Sequence, residues 1–422
     1  MISLKKIRKE PEVCSKKLRL KQEKISLKTI LDLDQKLREL KTISSDMRAE
    51  RNSTSELIGS LKLRGKDSKN TIVKMRELGD ELKLIEKDMK VVSTNLENSL
   101  YSLPNLPHDS VPDGKDESGN ITVRTWGSKP QFSYEPKDHI QLSKELKLFD
   151  FKRSAKLSGS GFPLYIGKGA KLERLIINSM IDYHIKEFGF KEVFPPVLMR
   201  KKSMKTTGQL PKFEEDMYHT EVDNLYLAPT AEVPVTNLHR DEIILEEDLP
   251  IHYVAYSPCF RRESGSYGKD TRGLLRVHQF NKVELVKFTT PEHSYAELET
   301  LTLQAESILK NLGLHYRVVE LCTGDLSFAA AKCYDLEVWA PGEQKWLEVS
   351  SCSNFESFQA MRGDIRYRRS IDKDVRYLHT LNGSGVATPR LMVALLETYQ
   401  TKNGTIKFPD NVSKFLGIEE IS

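Results

Sequence analysis

The sequence has 422 residues, of which 38% are hydrophobic and 30% are charged, so it is long enough for two or three domains and is not disordered in composition. The formal net charge of +5 is unevenly spread: residues 1–100 contain 24 Lys and Arg against 16 Asp and Glu, a net of +8, and the remainder has a net of −3. Concentrated positive charge is typical of a segment that meets a polyanion such as nucleic acid, although lysines that only keep a helical arm in solution would give the same count.

The five cysteines are scattered, without a CxxC pair or a Cys/His cluster, which argues against a disulfide framework and against a structural zinc site. Such cysteines fit the reducing cytosol. The N-terminal residues lack the apolar core of a signal peptide, and no run of about 18 apolar residues could span a membrane. We therefore expect a cytoplasmic protein with no membrane contact.

The first hundred residues are predicted to form two long helices. Apolar side chains recur at steps of three and four, and the segment LRGKDSKN at 63–70 can reverse the chain between the two periodic stretches. The first stretch has Ile30, Leu33, Leu37, Leu40, Met47, Ile58 and Leu61, and the second has Met75, Leu78, Leu82, Ile85, Met89, Val92 and Leu96. Helices so joined bury their seams by folding back as an antiparallel coiled coil, each about 35 residues and roughly 50 Å long. Ser44, Arg51 and Thr54 interrupt the first seam, so the pairing should be looser there.

Residues 102–120 contain three prolines and two glycines, which rule out a continued helix. Beyond them, helical patterns alternate with short β-rich runs, without a regular βαβ repeat or a phosphate-binding GxxxxGK[ST] motif. We expect an α+β architecture with three parts: a helical hairpin domain at 1–103, a linker at 104–120, and an antiparallel sheet flanked by helices at 121–422.

The stretch RRESGSYGKDTRGLLRVHQF, residues 261–280, contains four arginines, one lysine and three glycines. Alternation in a strand from Arg276 to Leu285 would place one set of side chains on a common face: Arg276, His278, Phe280, Lys282 and Glu284. The incoming strand YSPCFRRE would place Arg261 and Glu263 on one face, and Gly265, Gly268 and Gly273 would let the loop move. Arginines grip phosphate oxygens and an aromatic face stacks on a base, so this hairpin could hold a nucleotide, although a solvated surface hairpin could carry the same charges.

Three other segments carry polar groups that could belong to a site. In TLNGSGVATPR a small-residue turn opens an apolar helix with Arg390 at its start, which is also the pattern of an ordinary buried helix. In KWLEVSSCSN, Glu348 and Ser351 beside a strand could hold a divalent ion, or could simply be solvated. In LAPTAEVPV, Thr230 and Glu232 lie on one side of an extended segment, where a carboxylate could receive an amino group or the pair could cap a helix.

These segments in this order, with the helical hairpin before them, closely resemble bacterial-type seryl-tRNA synthetase, a class II aminoacyl-tRNA synthetase. An arginine-bearing hairpin followed by an arginine-led helix resembles the class II pattern, and the TAE segment with the helical arm resembles the seryl type. The resemblance covers essentially the whole chain. It implies a class II catalytic domain at 121–422 and a tRNA-binding domain at 1–103. The segment Leu172 to Arg200 resembles the motif that builds the family's dimer interface, which implies a homodimer.

The resemblance also implies the residues of an ATP site. Arg261 would contact the α-phosphate, Glu263 the adenine amino group and Phe280 the adenine face, with Arg276 and Arg390 on the outer phosphates. The ATP-binding set is Arg261, Arg262, Glu263, Arg276, Phe280, Glu348, Val349, Ser350, Ser351 and Arg390, of which Arg261 and Arg390 are the catalytic residues and Glu348 and Ser351 the Mg²⁺ ligands. The serine-binding set is Thr230, Ala231, Glu232, Arg261, Glu284, Asn382 and Ser384.

The implied activity is that of a serine–tRNA ligase, which joins L-serine and ATP to seryl-adenylate and then loads the acceptor end of tRNA(Ser), held by the helical arm. Two alternatives differ in class. A ligase that loads a carrier protein would not need a long basic hairpin, and this chain has one. A catalytically inactive RNA-binding relative would have lost Arg261, Glu263 or Arg390, and all three are present.

Overall fold

A computed structural model describes residues 1–22, 25–264 and 272–422. The chain divides into two compact units. The smaller unit contains Ile2–Arg19 and the described residues from 25 to Leu103. The larger unit contains Pro104–Ser422 together with Met1 and residues 20–22. In the described part of the chain, no helix combines the length and apolar composition needed to cross a membrane.

Two long antiparallel helices dominate the smaller unit. Short helices α1 (Leu4–Lys9) and α2 (Pro11–Leu20) precede α3 (Lys28–Leu63) and α4 (Lys69–Tyr101). Ion pairs join the two long helices, with Arg48 Nη2 2.7 Å from Glu86 Oε1 and Lys74 Nζ 2.8 Å from Glu50 Oε1. The seam buries side chains on both helices: Ile30, Ser44, Thr54 and Ile58 on α3, and Leu78, Leu82, Val92 and Leu96 on α4. The predicted helical hairpin is confirmed, and Ser44 and Thr54 lie within its seam.

Among the described residues, the larger unit contains the remaining α-helices and all of the strands. Its helices are α5 (His139–Leu146), α6 (Phe151–Ser158), α7 (Lys168–Phe188), α8 (Lys201–Thr207), α9 (Glu232–Thr236), α10 (Ser294–Asn311), α11 (Phe358–Gly363), α12 (Thr388–Thr398) and α13 (Asp410–Leu416). Its strands are β1 (Ile121–Trp126), β2 (Lys191–Val193), β3 (Leu198–Arg200), β4 (His219–Thr220), β5 (Leu225–Leu227), β6 (Ile243–Leu245), β7 (Ile251–Phe260), β8 (Gln279–Thr289), β9 (Tyr316–Glu320), β10 (Lys332–Ala340), β11 (Lys345–Asn354), β12 (Arg366–Arg368), β13 (Val375–Tyr377), β14 (His379–Ala387), β15 (Ile406–Lys407) and β16 (Glu420–Ile421).

Eight of these strands form one sheet in the order β1-β9-β10-β11-β14-β8-β7-β2. Every neighbouring pair is antiparallel except β2 and β7, which run parallel. Side chains from α7, α10 and α12 form a hydrophobic core against one face of the sheet, and Val283 and Leu285 of β8 belong to that core. The alternate β8 residues, including Lys282 and Glu284, therefore point to the other face. The predicted α+β fold with an antiparallel sheet and flanking helices is confirmed.

The segment 104–120 is packed as part of the larger unit. Leu106 and Val111 are buried, and the Asn105 side-chain amide donates to the carbonyl oxygens of Ala329 at 3.0 Å and Phe355 at 2.8 Å. The Asn105 and His108 backbone N–H groups also donate to Phe328 O and Ala331 O, so this helix-free segment is held tightly to the larger unit.

Four local predictions were wrong. The incoming strand expected to continue through Arg261 and Glu263 ends at Phe260, and Glu263 has a φ of +50°, which an extended strand does not adopt. The strand expected from Arg276 begins at Gln279, because the preceding backbone bonds to distant residues: Leu275 O accepts from Arg390 Nε, and the His278 N–H donates to Gly161 O. The small-residue turn expected before α12 is strand β14, in which glycine permits close approach: a Cβ at Gly383 would lie 2.9 Å from Cys352 Sγ. The segment expected to be extended at 230–232 turns into helix α9 at Glu232.

Candidate active site

A cleft of about 980 Å³ opens on the sheet face opposite the helical core, within the larger unit. Its walls come from β8, β11, β14, the start of α12 and the segments that flank β7 and β8. The residues predicted from sequence that line it are Thr230, Glu232, Arg261, Glu263, Arg276, Phe280, Glu348, Val349, Ser350, Ser351, Asn382, Ser384 and Arg390.

One end of the cleft is built over the carboxylate of Glu284, which is fully buried in β8. Thr230 Oγ1 donates to Glu284 Oε2 at 3.2 Å, and Asn382 Nδ2 donates to Oε1 at 2.7 Å. The Lys282 ammonium group forms an ion pair with Oε2. These donors satisfy a charge that burial alone would make unfavourable.

A second carboxylate, that of Glu232, lies close to the first. Glu232 is the first residue of α9, and Thr230 Oγ1 accepts its backbone N–H at 3.1 Å. The N-cap residue is Ala231, whose side chain makes no capping hydrogen bond, so the expected helix cap is not formed. Gln359 Nε2 donates to Glu232 Oε1 at 2.6 Å, and Thr380 Oγ1 fixes the Gln359 amide by donating to its oxygen at 2.7 Å. Burial and the neighbouring charge of Glu284 raise the pKa of Glu232 from 4.5 to about 7.

Two register shifts decide which side chains reach the cleft. Between β14 and β8, Ser384 pairs with Glu284 but Val386 pairs with Val283, so Gly385 is a bulge. Between β10 and β11, Ser351 pairs with Asp335 and Glu348 pairs with Glu337, so Val349 is the extra residue. Residues three apart normally point to opposite faces of a strand, and this bulge places Glu348 and Ser351 on the same face.

Glu348, Ser351 and the side chain of Asp335 form a group of oxygen donors on that face. Asp335 lies opposite Ser351 in the ladder, and burial followed by the charge of Glu348 raises the pKa of its carboxyl well above the usual value. Two carboxylates that crowd each other beside a hydroxyl match the hard oxygen ligands that Mg²⁺ prefers. The residues present therefore fit a divalent cation.

Arginines line the other end of the cleft. The Arg261 guanidinium lies 5.1 Å from the centre of the Phe280 ring, and its Nε donates to Pro229 O at 3.4 Å. Arg276 Nη1 donates to Glu263 Oε2 at 3.0 Å. Arg390, at the start of α12, donates from Nε to Leu275 O at 3.1 Å and from Nη1 to Glu348 O at 3.0 Å. Positive charge thus faces the cleft beside an aromatic face.

Three predicted residues do not line the cleft. Arg262 is exposed, and its backbone N–H donates to Asp216 O at 3.0 Å, while Ala231 and Glu284 are buried. The expectation that Gly265 and Gly268 let the loop move falls outside the described residues.

Sequence reasoning missed three side chains that shape the site. Strand alternation predicts the correct face for Lys282 but no role for it, and Asp335 could be found only from its pairing with β11. Gln359 sits on α11, far along the chain from Glu232, and nothing in the sequence marks that contact.

Two family models match the chain. Residues 1–107 match the seryl-tRNA synthetase N-terminal domain, and residues 212–399 match the tRNA synthetase class II core domain (G, H, P, S and T). A serine–tRNA ligase of Thermodesulfovibrio yellowstonii is 50% identical over 424 residues, which covers 100% of both chains. The chain belongs to the seryl-tRNA synthetase family.

Further seryl-tRNA synthetases agree with this membership. The serine–tRNA ligase of Chloroherpeton thalassium is 48% identical over 426 residues, again covering 100% of both chains. The crystal structure of seryl-tRNA synthetase from Pyrococcus horikoshii complexed with ATP superposes with a TM-score of 0.93 and 37% sequence identity, covering 100% of this chain and 99% of that one. The resemblance inferred from the motifs is confirmed.

The raised pKa of Glu232 predicts a specific pH dependence of stability. Because its pKa of about 7 lies above the unfolded value near 4.5, the buried carboxyl favours the folded state at acidic pH. That contribution is lost as the pH rises through 7, by up to about 3 kcal/mol. We expect Glu232→Gln, measured by denaturant unfolding without substrates, to become more stable relative to the parent between pH 5 and pH 8. Parallel stability curves for the two proteins would show that Glu232 titrates normally.

Proposed function

We propose that this chain is a serine–tRNA ligase that joins L-serine to ATP as seryl-adenylate and pyrophosphate, then transfers the seryl group to the 3′ end of tRNA(Ser). The observation that carries the proposal is the cleft itself, in which an arginine-lined end and a two-carboxylate end lie on one face of a single sheet. The serine–tRNA ligases that match along their full length support the same reaction.

ATP is assigned to the arginine end. Arg261 is placed on the α-phosphate, Arg276 and Arg390 on the outer phosphates, Phe280 under the adenine and Glu263 on its amino group. The Pyrococcus horikoshii structure, which was solved with ATP, supports a nucleotide in this fold. Arg262, Val349 and Ser350 complete the proposed ATP set, with Arg262 the weakest member because its side chain lies outside the cleft lining.

Serine is assigned to the carboxylate end. Glu232 and Glu284 receive its ammonium and hydroxyl groups, with Thr230, Ala231, Asn382 and Ser384 around them and Arg261 toward the carboxylate. A site built to pair a substrate hydroxyl rejects an analogue that lacks it, because its own buried groups are then left unpaired. Serine is thereby distinguished from alanine.

Catalysis in this proposal needs no side-chain nucleophile. The serine carboxylate attacks the α-phosphorus in line and pyrophosphate leaves, while Arg261 and Arg390 stabilise charge that spreads onto phosphate oxygens. Glu348 and Ser351, with Asp335 beside them, would hold Mg²⁺, which neutralises phosphate charge when bound. The 3′-terminal ribose hydroxyl of tRNA then takes the acyl group, and AMP leaves.

The first test substitutes the residue assigned to the α-phosphate. Arg261→Ala should lower serine-dependent exchange of pyrophosphate into ATP by at least about a hundredfold, because it removes charge from the reacting phosphate. Its melting temperature should stay near that of the parent, since a partly exposed arginine adds little to stability. Exchange within about tenfold of the parent would contradict the assignment.

Binding of tRNA is assigned to the helical hairpin, whose excess of positive charge the cleft does not explain. Helical RNA is held mainly through phosphate and ribose, so the contact should be strongly salt-dependent. The bases available on the arm include Arg38, Lys41, Arg48, Arg51, Arg64 and Lys74. The match of residues 1–107 to the seryl-tRNA synthetase N-terminal domain supports this role.

Deletion of the arm should separate the two half-reactions. Removing residues 28–100 and joining the ends should leave serine-dependent pyrophosphate exchange nearly unchanged, because every residue assigned to ATP and serine lies from Thr230 onward. Aminoacylation of tRNA should fall by about a hundredfold or more. If the truncated protein charged tRNA as well as the parent, the arm would be only a solvated coiled coil.

A homodimer through Leu172 to Pro196 is part of the proposal. Large apolar side chains are exposed in and beside this segment, with Phe194 78% and Leu198 48% exposed. Such a patch is typical of a subunit interface. Light scattering at micromolar concentration should give twice the chain mass of 48.3 kDa, and an active monomer would refute the assignment.

The proposed compartment is the cytoplasm. All five cysteines, which lie in described parts of the chain, are free thiols and buried, as expected where thiols stay reduced. Protease protection in fractionated cells tests the assignment, and recovery of the protein outside the cytoplasm would contradict it.

A further inference from the structure

A buried polar cluster lies outside the cleft lining. His139 begins α5, Glu397 is in the last turn of α12, and Glu343 lies between β10 and β11, with ligand-type atoms of the three within 4.8 Å of one another. Glu397 Oε1 accepts the His139 backbone N–H at 2.9 Å, and Oε2 accepts those of Gly342 at 2.8 Å and Glu343 at 3.1 Å. Because both oxygens already accept N–H groups, the cluster is a hydrogen-bond network rather than an open set of metal ligands.

The network fixes which nitrogen of His139 can accept a hydrogen bond. Nδ1 lies 3.2 Å from Glu343 Oε1 and 3.3 Å from Glu397 Oε1, so it carries a proton. Nε2 then offers its lone pair to the backbone N–H of Leu274, at 3.2 Å. This approach requires glycine at 273, where φ is +62° and an added Cβ would lie 2.1 Å from Nε2.

The contact with Leu274 leads directly to Arg390. The carbonyl oxygen of the following residue, Leu275 O, accepts Arg390 Nε at 3.1 Å. Arg390 and Glu397 both belong to α12 and are seven residues apart, so they lie on the same side of the helix two turns from each other. The chain of contacts is therefore closed: helix α12 holds His139 through Glu397, and His139 holds the backbone that orients the Arg390 guanidinium.

We propose that His139, fixed by Glu397 and Glu343, is a positioning residue for Arg390, because it holds the 274–275 backbone whose carbonyl orients that guanidinium toward the phosphates of ATP. The inference rests on the proposed function, in which Arg390 binds the outer phosphates. His139 itself touches no substrate. It acts by keeping Arg390 pre-oriented, so its loss should weaken ATP binding while leaving the serine end unchanged.

A matched pair of amide variants tests the proposal. In His139→Gln the side-chain oxygen reaches the position of Nε2 and can still accept from Leu274, whereas the shorter His139→Asn reaches only the Nδ1 position. In serine-dependent pyrophosphate exchange, His139→Asn should raise the KM for ATP about tenfold with the KM for serine unchanged, and His139→Gln should stay within about threefold of the parent. If His139→Asn does not fold, His139→Phe, which keeps a ring without nitrogens, replaces it.

A double-mutant cycle separates positioning from a general structural role. ATP affinity, measured by titration calorimetry with Mg²⁺, should fall about tenfold for His139→Asn in the parent and by less than about twofold in an Arg390→Ala background. Equal losses in both backgrounds, or equal increases in the KM for ATP and for serine, would overturn the proposal. Failure of the proposed function is distinguishable, because the parent would then show no serine-dependent exchange at all.

Discussion

The carboxylate of Glu284 has no access to solvent, and a buried charge is tolerated only where donors surround it. Its partners come from three places in the chain: Thr230 before α9, Asn382 on β14 and Lys282 on β8 itself. The need to surround this carboxylate with donors therefore holds the loop after β5 and the two central strands β8 and β14 together at Glu284. The second carboxylate, Glu232, is then held beside it at a pKa of about 7.

The rest of the cleft follows from interruptions of the same sheet. Bulges at Val349 and Gly385 turn polar side chains toward the cleft that regular alternation would turn away. Strand β7 ends at Phe260 and β8 begins at Gln279, so Arg261 and Arg276 are carried on irregular backbone beyond the ladder. The sheet provides a rigid base, and its irregular edges carry the groups assigned to phosphates.

Periodicity in the sequence predicted the parts of the fold whose pattern is local. The helical hairpin of α3 and α4 follows from the spacing of apolar residues, and the motif around Arg390 predicts helix α12, which begins two residues earlier at Thr388. The strand expected at 276–278 and the turn expected at 380–387 were wrong because packing against distant residues overrode the local pattern.

The same limit applies to the site. Thirteen of the residues predicted from the motifs line one cleft. The family resemblance identified them, because it relates segments that are far apart in the chain, which the spacing within one segment cannot do. The sequence did not predict roles for Asp335, Gln359 and His139, because each acts through a partner distant in the chain. Asp335 pairs with Ser351 across a bulged ladder, Gln359 donates to Glu232, and His139 accepts from the Leu274 N–H. Such contacts depend on tertiary structure, and no short sequence pattern encodes them.

In the proposed function, the buried carboxylate pair of Glu232 and Glu284 selects serine for activation by ATP. The most direct test is exchange of labelled pyrophosphate into ATP by the full chain, measured separately with serine, alanine and threonine. Exchange should depend on serine, with a kcat/KM for alanine lower by about a hundredfold or more, because alanine leaves the buried groups that meet the hydroxyl unpaired. Exchange with alanine within about tenfold of serine, or exchange independent of any amino acid, would contradict it.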